Sequence, residues 1–483
     1  MTFLILDVGS SSVRAALFDE QARLIPDGMV RHNYRFSYQP EGAAVIDAAR
    51  LRSYLESCMD EILQHPQAAT IRAVGMATFV GNLVGVDVTG KAITPLYTYA
   101  DSRSANDVMA LRQLVDLAEV HQRTGAILHS AYHPARLHWL ARTQPEMFAA
   151  VTRWRDFGSY VYGQWFGREI PVSYSVASWS GLLHRESLHW DADWLRVLGV
   201  DADAFPALAD YSAVEKNLLP SYASRWPALA DVPFSLAVGD GAAANVGSGA
   251  ITPQQIALTV GTTAALRMIT TAENPPVPPG LWSYRVDAQH HLIGGATFEG
   301  GGVYQWLRET LALPDDLEAQ LQQRKAGEHG LVMLPLLNGE RSPGWSIGAV
   351  GALAGLRQST SGVDIVQASL EGVALRLAAI ADQIGGEAQM VLASGGALEN
   401  SLSWVQMMAN AMNRPLHLLA ESETTGRGAA LLMLHALDGV PLDAYPPQIS
   451  RIIAPQPGAY DILQASVQRQ RELYTWVTER DWT

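Results

Sequence analysis

At 483 residues the chain exceeds one ordinary hydrophobic core, so two domains, with room for a third, are expected. It is globular in composition, with 48% hydrophobic and 17% charged residues, and a net charge of -14 argues against nucleic acid or an anionic membrane as the main partner. Cys58 is the single cysteine, which rules out an internal disulfide and a cysteine-based zinc site; with no signal-like start and no apolar run of membrane-spanning length, a cytoplasmic location is expected.

In residues 4–19 an apolar run ends on Asp7, and a turn of Gly9, Ser10, Ser11 and Ser12 leads into a second apolar run. This reads as a β-hairpin whose turn exposes the Gly9 amide and the serine hydroxyls, with Asp7 at its lip. Donors so close together can cradle a phosphate, and the carboxylate can hold Mg²⁺ through water. The same residues would serve an ordinary hairpin equally well. Antiparallel strands (21–35), a helix (47–64), a buried strand (71–77), the loop 78–82 and a strand (83–87) then suggest an α/β layer fold. Asp101 and Arg103 precede a helical stretch over 106–117. Asp101 reads either as its N-cap or, with Arg103, as a binder of hydroxyls and a carboxylate. Residues 125–194 read as helix and loop, their many aromatics serving as core rather than as a sugar platform.

A buried strand over 234–239 ends on Asp240 and runs into the small-residue helix 242–246, so Asp240 is either an N-cap or a ligand-facing carboxylate. Val260-Gly261-Thr262-Thr263 then echoes Val8-Gly9-Ser10-Ser11 about half a chain away, which implies two domains of related fold. Two such hairpins facing one another would clamp a polyphosphate. A glycine-rich stretch (294–302) opens a helix at 304–311, and a strand (331–337) and a long helix (363–383) follow. After the strand 390–393, Gly395, Gly396 and Asn400 open a helix where a nucleotide can lie against bare backbone. The strand 415–419 and the helix 426–437 read as the last of their kinds.

The chain resembles the FGGY family of carbohydrate kinases over essentially its whole length. Gly351-Ala352-Leu353-Ala354-Gly355-Leu356, followed by Asp364-Ile365-Val366-Gln367-Ala368-Ser369-Leu370-Glu371, fits the family's second signature. Residues 136–140 fit the first only in part: Arg136 stands where Lys is usual, and His133 where a small residue is expected. The resemblance implies an α/β fold of two duplicated actin-like (ribonuclease H-like) domains, 1–243 for sugar and 244–483 for nucleotide, with an ATP/sugar cleft between them. By the same resemblance Asp7 positions Mg²⁺–ATP, and Gly9, Ser10, Ser11 and Ser12 lie near the transferred phosphate. Gly261, Thr262 and Thr263 hold phosphates, Gly395, Gly396 and Asn400 line the adenosine pocket, and Asp240 is the catalytic base. Thr78, Phe79, Asn82, Asp101 and Arg103 join Asp240 around the sugar. The likeness leans to the gluconate-kinase branch, where Arg103 would grip the carboxylate of an aldonate. Gly81 followed by Asn82 stands where relatives place a His, which leaves xylulose, another ketopentose or a polyol as alternatives. A catalytically silent sugar-binding regulator is the reading opposed by having both Asp7 and Asp240. An actin-like chaperone ATPase would need a further β-rich domain, and a P-loop enzyme a Walker element that is missing. A homodimer is the family's habit.

Overall fold

The computed structural model describes residues 1–346, 348–385, 388–421 and 423–480. Each half is built on a mixed sheet. In the first the order is Val214–Glu215, Phe234–Ser235, Ile71–Thr78, Thr2–Val8, Ser12–Phe18, Leu24–Asn33, with Val238–Gly239 also on Ile71–Thr78. In the second it is Trp282–Arg285, His291–Thr297, Ala264–Thr270, Gln255–Val260, Met390–Ser394, Leu416–Leu419, Ile449–Ile453. The central pattern is duplicated. Thr2–Val8 pairs antiparallel with Ser12–Phe18 and parallel with Ile71–Thr78, while Gln255–Val260 pairs antiparallel with Ala264–Thr270 and parallel with Met390–Ser394.

The crossover helices occupy matching places, Ala48–Ile62 in the first half and Gly362–Ile384 in the second. Strands packed on both faces must be apolar throughout, and all seven residues of Thr2–Val8 are buried, Asp7 among them. The long helix starts on a capping box: Ser361 accepts from the Asp364 amide while Asp364 accepts from Ser361. Signature residue Glu371 accepts from Gly327 N–H and Gln367 and contacts His329, holding the 325–331 loop onto that helix. The signature is therefore a capping and tethering device.

The second half's edge hairpin and the helix Thr424–Asp438 share a buried core with Phe3, Ile5 and Ala77 of the first half, so the halves are closely apposed. A separate core around Trp139, Trp154 and Trp194 stabilises a mostly helical annex on the first half, while Tyr160 and Trp165 belong to the first half's main core and Tyr132 to the core shared between the halves. No helix among the described residues is long and apolar enough to cross a membrane.

Several elements differ from the sequence reading. The stretch 106–117 is two helices, Ala105–Leu111 and Leu117–Thr124, because Asp116 caps the second. The strand expected over 234–239 is interrupted between Ser235 and Val238. Gly294 and Gly295 lie inside the strand His291–Thr297. The strand Ile449–Ile453 and the helix Ala459–Thr478 extend the chain beyond the elements expected to be last. Residue 243, where a division between halves is expected, lies inside the helix Asp240–Gly247.

Candidate active site

Asp7 stands next to the end of the first strand, opposite Arg14 on one side and Ala77 on the other. Arg14 Nη1 donates to Asp7 Oδ2 at 2.8 Å and to Glu423 Oε2 at 3.3 Å, so one guanidinium ties this carboxylate to the second half. Asp240 is the first residue of the helix Asp240–Gly247. It leaves Val238–Gly239, which pairs with Ala77 and Thr78, so both carboxylates sit at the carboxyl ends of the parallel strands, where ligands of open α/β sheets bind. Gly239 is the N-cap; the Asp240 carboxylate accepts from Gly241 N–H at 2.7 Å, and the residue stays partly accessible.

The two acids influence one another. Burial raises Asp7 to about 6, against Arg14 and with help from Glu423. Burial also raises Asp240 to about 6; Asp7 adds to that rise and Arg267 opposes it. Tyr34 donates to the Gly9 carbonyl, and its phenol is pushed above its usual range by burial, then by Tyr99, Asp240 and Asp7. It therefore lies near both carboxylates and Tyr99, a placement no local pattern in the sequence signals.

The hairpin tips form as expected, but their glycine amides are not free. Gly9 N–H donates to Ser12 O at 3.0 Å, and Gly261 N–H to Thr263 O at 2.9 Å. At the tips Ser11, Thr262 and Thr263 are exposed and Ser10 is half-buried. The helix Gly301–Thr310 starts on the second tip, with Gly301 N–H on Gly261 O at 2.7 Å and Gly302 N–H on Thr262 O at 3.1 Å. Gly395, at φ +113°, passes so close to the second-half strand that a Cβ there would lie 2.3 Å from Val260 O.

Between these elements opens a cleft of about 870 Å³, walled by Gly261, Thr262, Gly396 and Asn400 and by Gly302, Tyr304 and Arg308. The last three were missed as site residues; their signal is the glycine triplet 300–302. Asn400 also caps its own short helix, donating to Gly396 O at 2.8 Å.

The expected sugar residues are largely engaged in building loops. Thr78 Oγ1 donates to Phe79 O at 3.2 Å, and Phe79 packs on Phe36 with ring centres 5.6 Å apart. The Asn82 amide is used at both ends, donating to Phe79 O at 2.5 Å and accepting from Phe157 N–H at 2.7 Å. Gly81 has φ +68°. Asp101 accepts from Ala44 N–H at 3.2 Å and is clasped by Arg103 at 3.0 and 2.6 Å, while the Arg103 guanidinium lies 4.5 Å over Trp139. Asp101 is not an N-cap; that position belongs to Ser104. Arg136, the departure from the first signature, donates to Gly81 O at 2.9 Å and Thr98 O at 2.6 Å, joining the two loops.

Among the described residues no group of three or more His, Cys, Asp or Glu side chains could hold a metal alone. Asp7, beside the turn of residues 9–12, is a single carboxylate of the kind that suits Mg²⁺, which typically takes one or two carboxylates and completes its shell with phosphate oxygens and water.

Residues 2–247 match the N-terminal domain of the FGGY family of carbohydrate kinases, and residues 256–437 match its C-terminal domain. The gluconokinase of Bacillus subtilis (strain 168) is 26% identical over 450 residues, covering 89% of this chain and 86% of that protein. The crystal structure of gluconate kinase from Lactobacillus acidophilus superposes with a TM-score of 0.92 at 24% identity, covering 99% of both chains. The ligand-bound xylulose kinase from the same organism gives 0.92 at 24%, covering 98% of both. With both domain models matched in order along one duplicated fold, the chain belongs to the FGGY family of carbohydrate kinases and is a phosphotransferase.

Proposed function

We propose that this kinase transfers the γ-phosphate of ATP to a hydroxyl of a small sugar acid, gluconate, with Asp240 as the catalytic base. The observation that carries the reading is the pair of acids at the strand ends, Asp7 buried and Asp240 partly accessible, beside the first of two duplicated turns. Phosphoryl transfer asks little covalent chemistry of a protein; it needs alignment, charge neutralisation and a group to take the hydroxyl proton. Asp240 orients the acceptor hydroxyl and takes its proton, and its affinity near pH 6 suits a base working at neutral pH. Ser10, Ser11, Thr262 and Thr263 supply phosphate donors from the two halves. Asp7 would hold Mg²⁺, which neutralises phosphate charge when bound. Gly395, Gly396 and Asn400 seat the adenosine.

Gluconate is supported by the similarity to proteins named gluconokinase. A neutral ketopentose such as xylulose is the second reading, because Arg103, the expected carboxylate partner, spends its charge on Asp101. A coupled assay of ADP release with Mg²⁺–ATP decides between them, using gluconate, D- and L-ketopentoses, glycerol and no sugar. The expected outcome is turnover stimulated most by gluconate. Stimulation by none of these would overturn the kinase reading.

A further inference from the structure

Arg267 and Arg341 are half-buried, and among the described residues neither forms an ion pair with a carboxylate. Arg267 lies on the strand Ala264–Thr270, three residues and so about 10 Å along from its start at the phosphate turn. Its even-numbered neighbours, Leu266 and Met268, pack into the second half's core, while Arg267 takes the opposite face, towards the first half. A Cβ built on Gly241 would lie 3.3 Å from Arg267 Nε and 3.1 Å from the Trp179 ring. Arg267 Nε and Trp179 Nε1 are both buried N–H donors with no acceptor among the described residues. They flank the backbone that carries Asp240. Arg341 reaches the same region from the 338–345 loop, its guanidinium 5.6 Å from the Phe298 ring centre and 5.9 Å from that of Trp345.

Burial lowers the Arg267 pKa; Asp240 opposes the fall and Arg341 adds to it. Two cations close enough to disfavour one another, beside donors aimed at nothing, describe a place built for an anion. The neighbouring acid Glu299 is itself pushed by burial up to about 7, which weakens it as a counter-charge. The phosphate turn lies at the far end of the strand, so the anion in question is on the acceptor.

We infer that Arg267 and Arg341, with Trp179 Nε1, form the seat for the carboxylate of an aldonic acid, while the hydroxyl to be phosphorylated lies on Asp240. This rests on the kinase reading above and assigns the acid's charge to these residues rather than to Arg103.

Gluconate and its uncharged amide, gluconamide, separate charge from shape. In the wild type kcat/KM should favour gluconate by about 10–100-fold, the worth of one or two charge-assisted hydrogen bonds. Arg267→Gln and Arg341→Gln should each erase most of that preference through the gluconate KM and leave the KM for ATP unchanged, with Arg267→Lys recovering part of it. Equal use of gluconate and gluconamide by the wild type would overturn the seat. So would variants that raise the ATP KM or slow both acceptors alike, since the arginines would then serve the phosphate. If Arg267→Gln does not fold, Arg341→Gln decides. Calorimetric titration of gluconate without ATP keeps this question apart from the kinase reading: gluconate heat that is lost in Arg341→Gln supports the seat even if no turnover is found, and absence of gluconate binding to the wild type sinks it.

Discussion

As the proposed base, Asp240 has two opposed tasks, to sit largely out of water and to be charged there. Burial and the neighbouring Asp7 hold its pKa near 6, above the ordinary 3.8 of an aspartate. The folded protein therefore retains protons on this pair that the unfolded chain has already released between about pH 4 and 6. Stability falls as pH rises through that window and stays lower above it. Asp240→Asn removes the conflict and the proposed base together. We expect it to lose about 10²–10⁴-fold in turnover while gaining about 1–3 kcal/mol of stability at pH 8, with no gain near pH 4. Urea midpoints at the two pH values and ADP-release rates test both halves of this. A variant that kept near-normal turnover, or was less stable than wild type at pH 8, would contradict the assignment. Wild-type turnover should fall as pH drops through about 6, as the base takes up its proton.

At the scale of elements, the loops over 78–103 are held from behind by arginines. Arg136 reaches two carbonyls on different loops, Gly81 O and Thr98 O, with one planar fork. A lysine ammonium is a point charge and holds one of them well at most. Arg136→Lys should therefore raise the sugar KM by about 5–30-fold, the cost of losing one such bond, without moving the ATP KM. Equal changes in both constants would argue against a positioning role. Arg103→Ala strips the partner from the buried Asp101 and the cation from Trp139, so its expected effect is a loss of about 2–4 kcal/mol of stability, read from urea midpoints and independent of which sugar is used. How legible this was in the sequence depends on how local the pattern is. Asp7, its turn and the Gly261 echo are contiguous strings whose geometry follows from strand and turn chemistry. Asn82 and Arg103 were legible as polar residues near a pocket, but their partners, Phe157 N–H and Trp139, come from distant segments. Tyr34, Trp179 and Arg267 each look ordinary in their own segments, and only tertiary packing brings them near Asp240. The missed strand Ile449–Ile453 is an exposed edge, so it carries no apolar alternation to reveal it.

On the scale of the whole molecule, the halves share a buried core and also meet along two strips of close backbone contact. The helices Asp240–Gly247 and Thr424–Asp438 cross so closely that a Cβ on Gly247 would lie 1.8 Å from Thr424 O and one on Gly428 would lie 1.7 Å from Ala243 O. A second strip joins residues 121–125 to 277–285: Gln122 Nε2 donates to Val277 O at 2.8 Å, and Ser283 N–H to Gly125 O at 2.9 Å. A further link between the halves, beside Asp7, is polar, Arg14 to Glu423 at 3.3 Å. Tight backbone crossings resist sliding, whereas a polar link across a cleft gives way at little cost, so the motion left to the molecule is rotation of one half on the other about the strips. That rotation would bring the Thr262 turn towards Asp7 and exclude water once sugar and nucleotide are both in place, which limits wasteful hydrolysis of ATP. Small-angle scattering should show a smaller radius of gyration with gluconate and a non-hydrolysable ATP analogue together than with either alone. Gly428→Val, which must force the helices apart, should lower the unfolding midpoint and blunt the ligand-induced change. Curves that superpose with and without both ligands would show that transfer takes place without closure, and the hinge reading of the glycine crossing would fall with it.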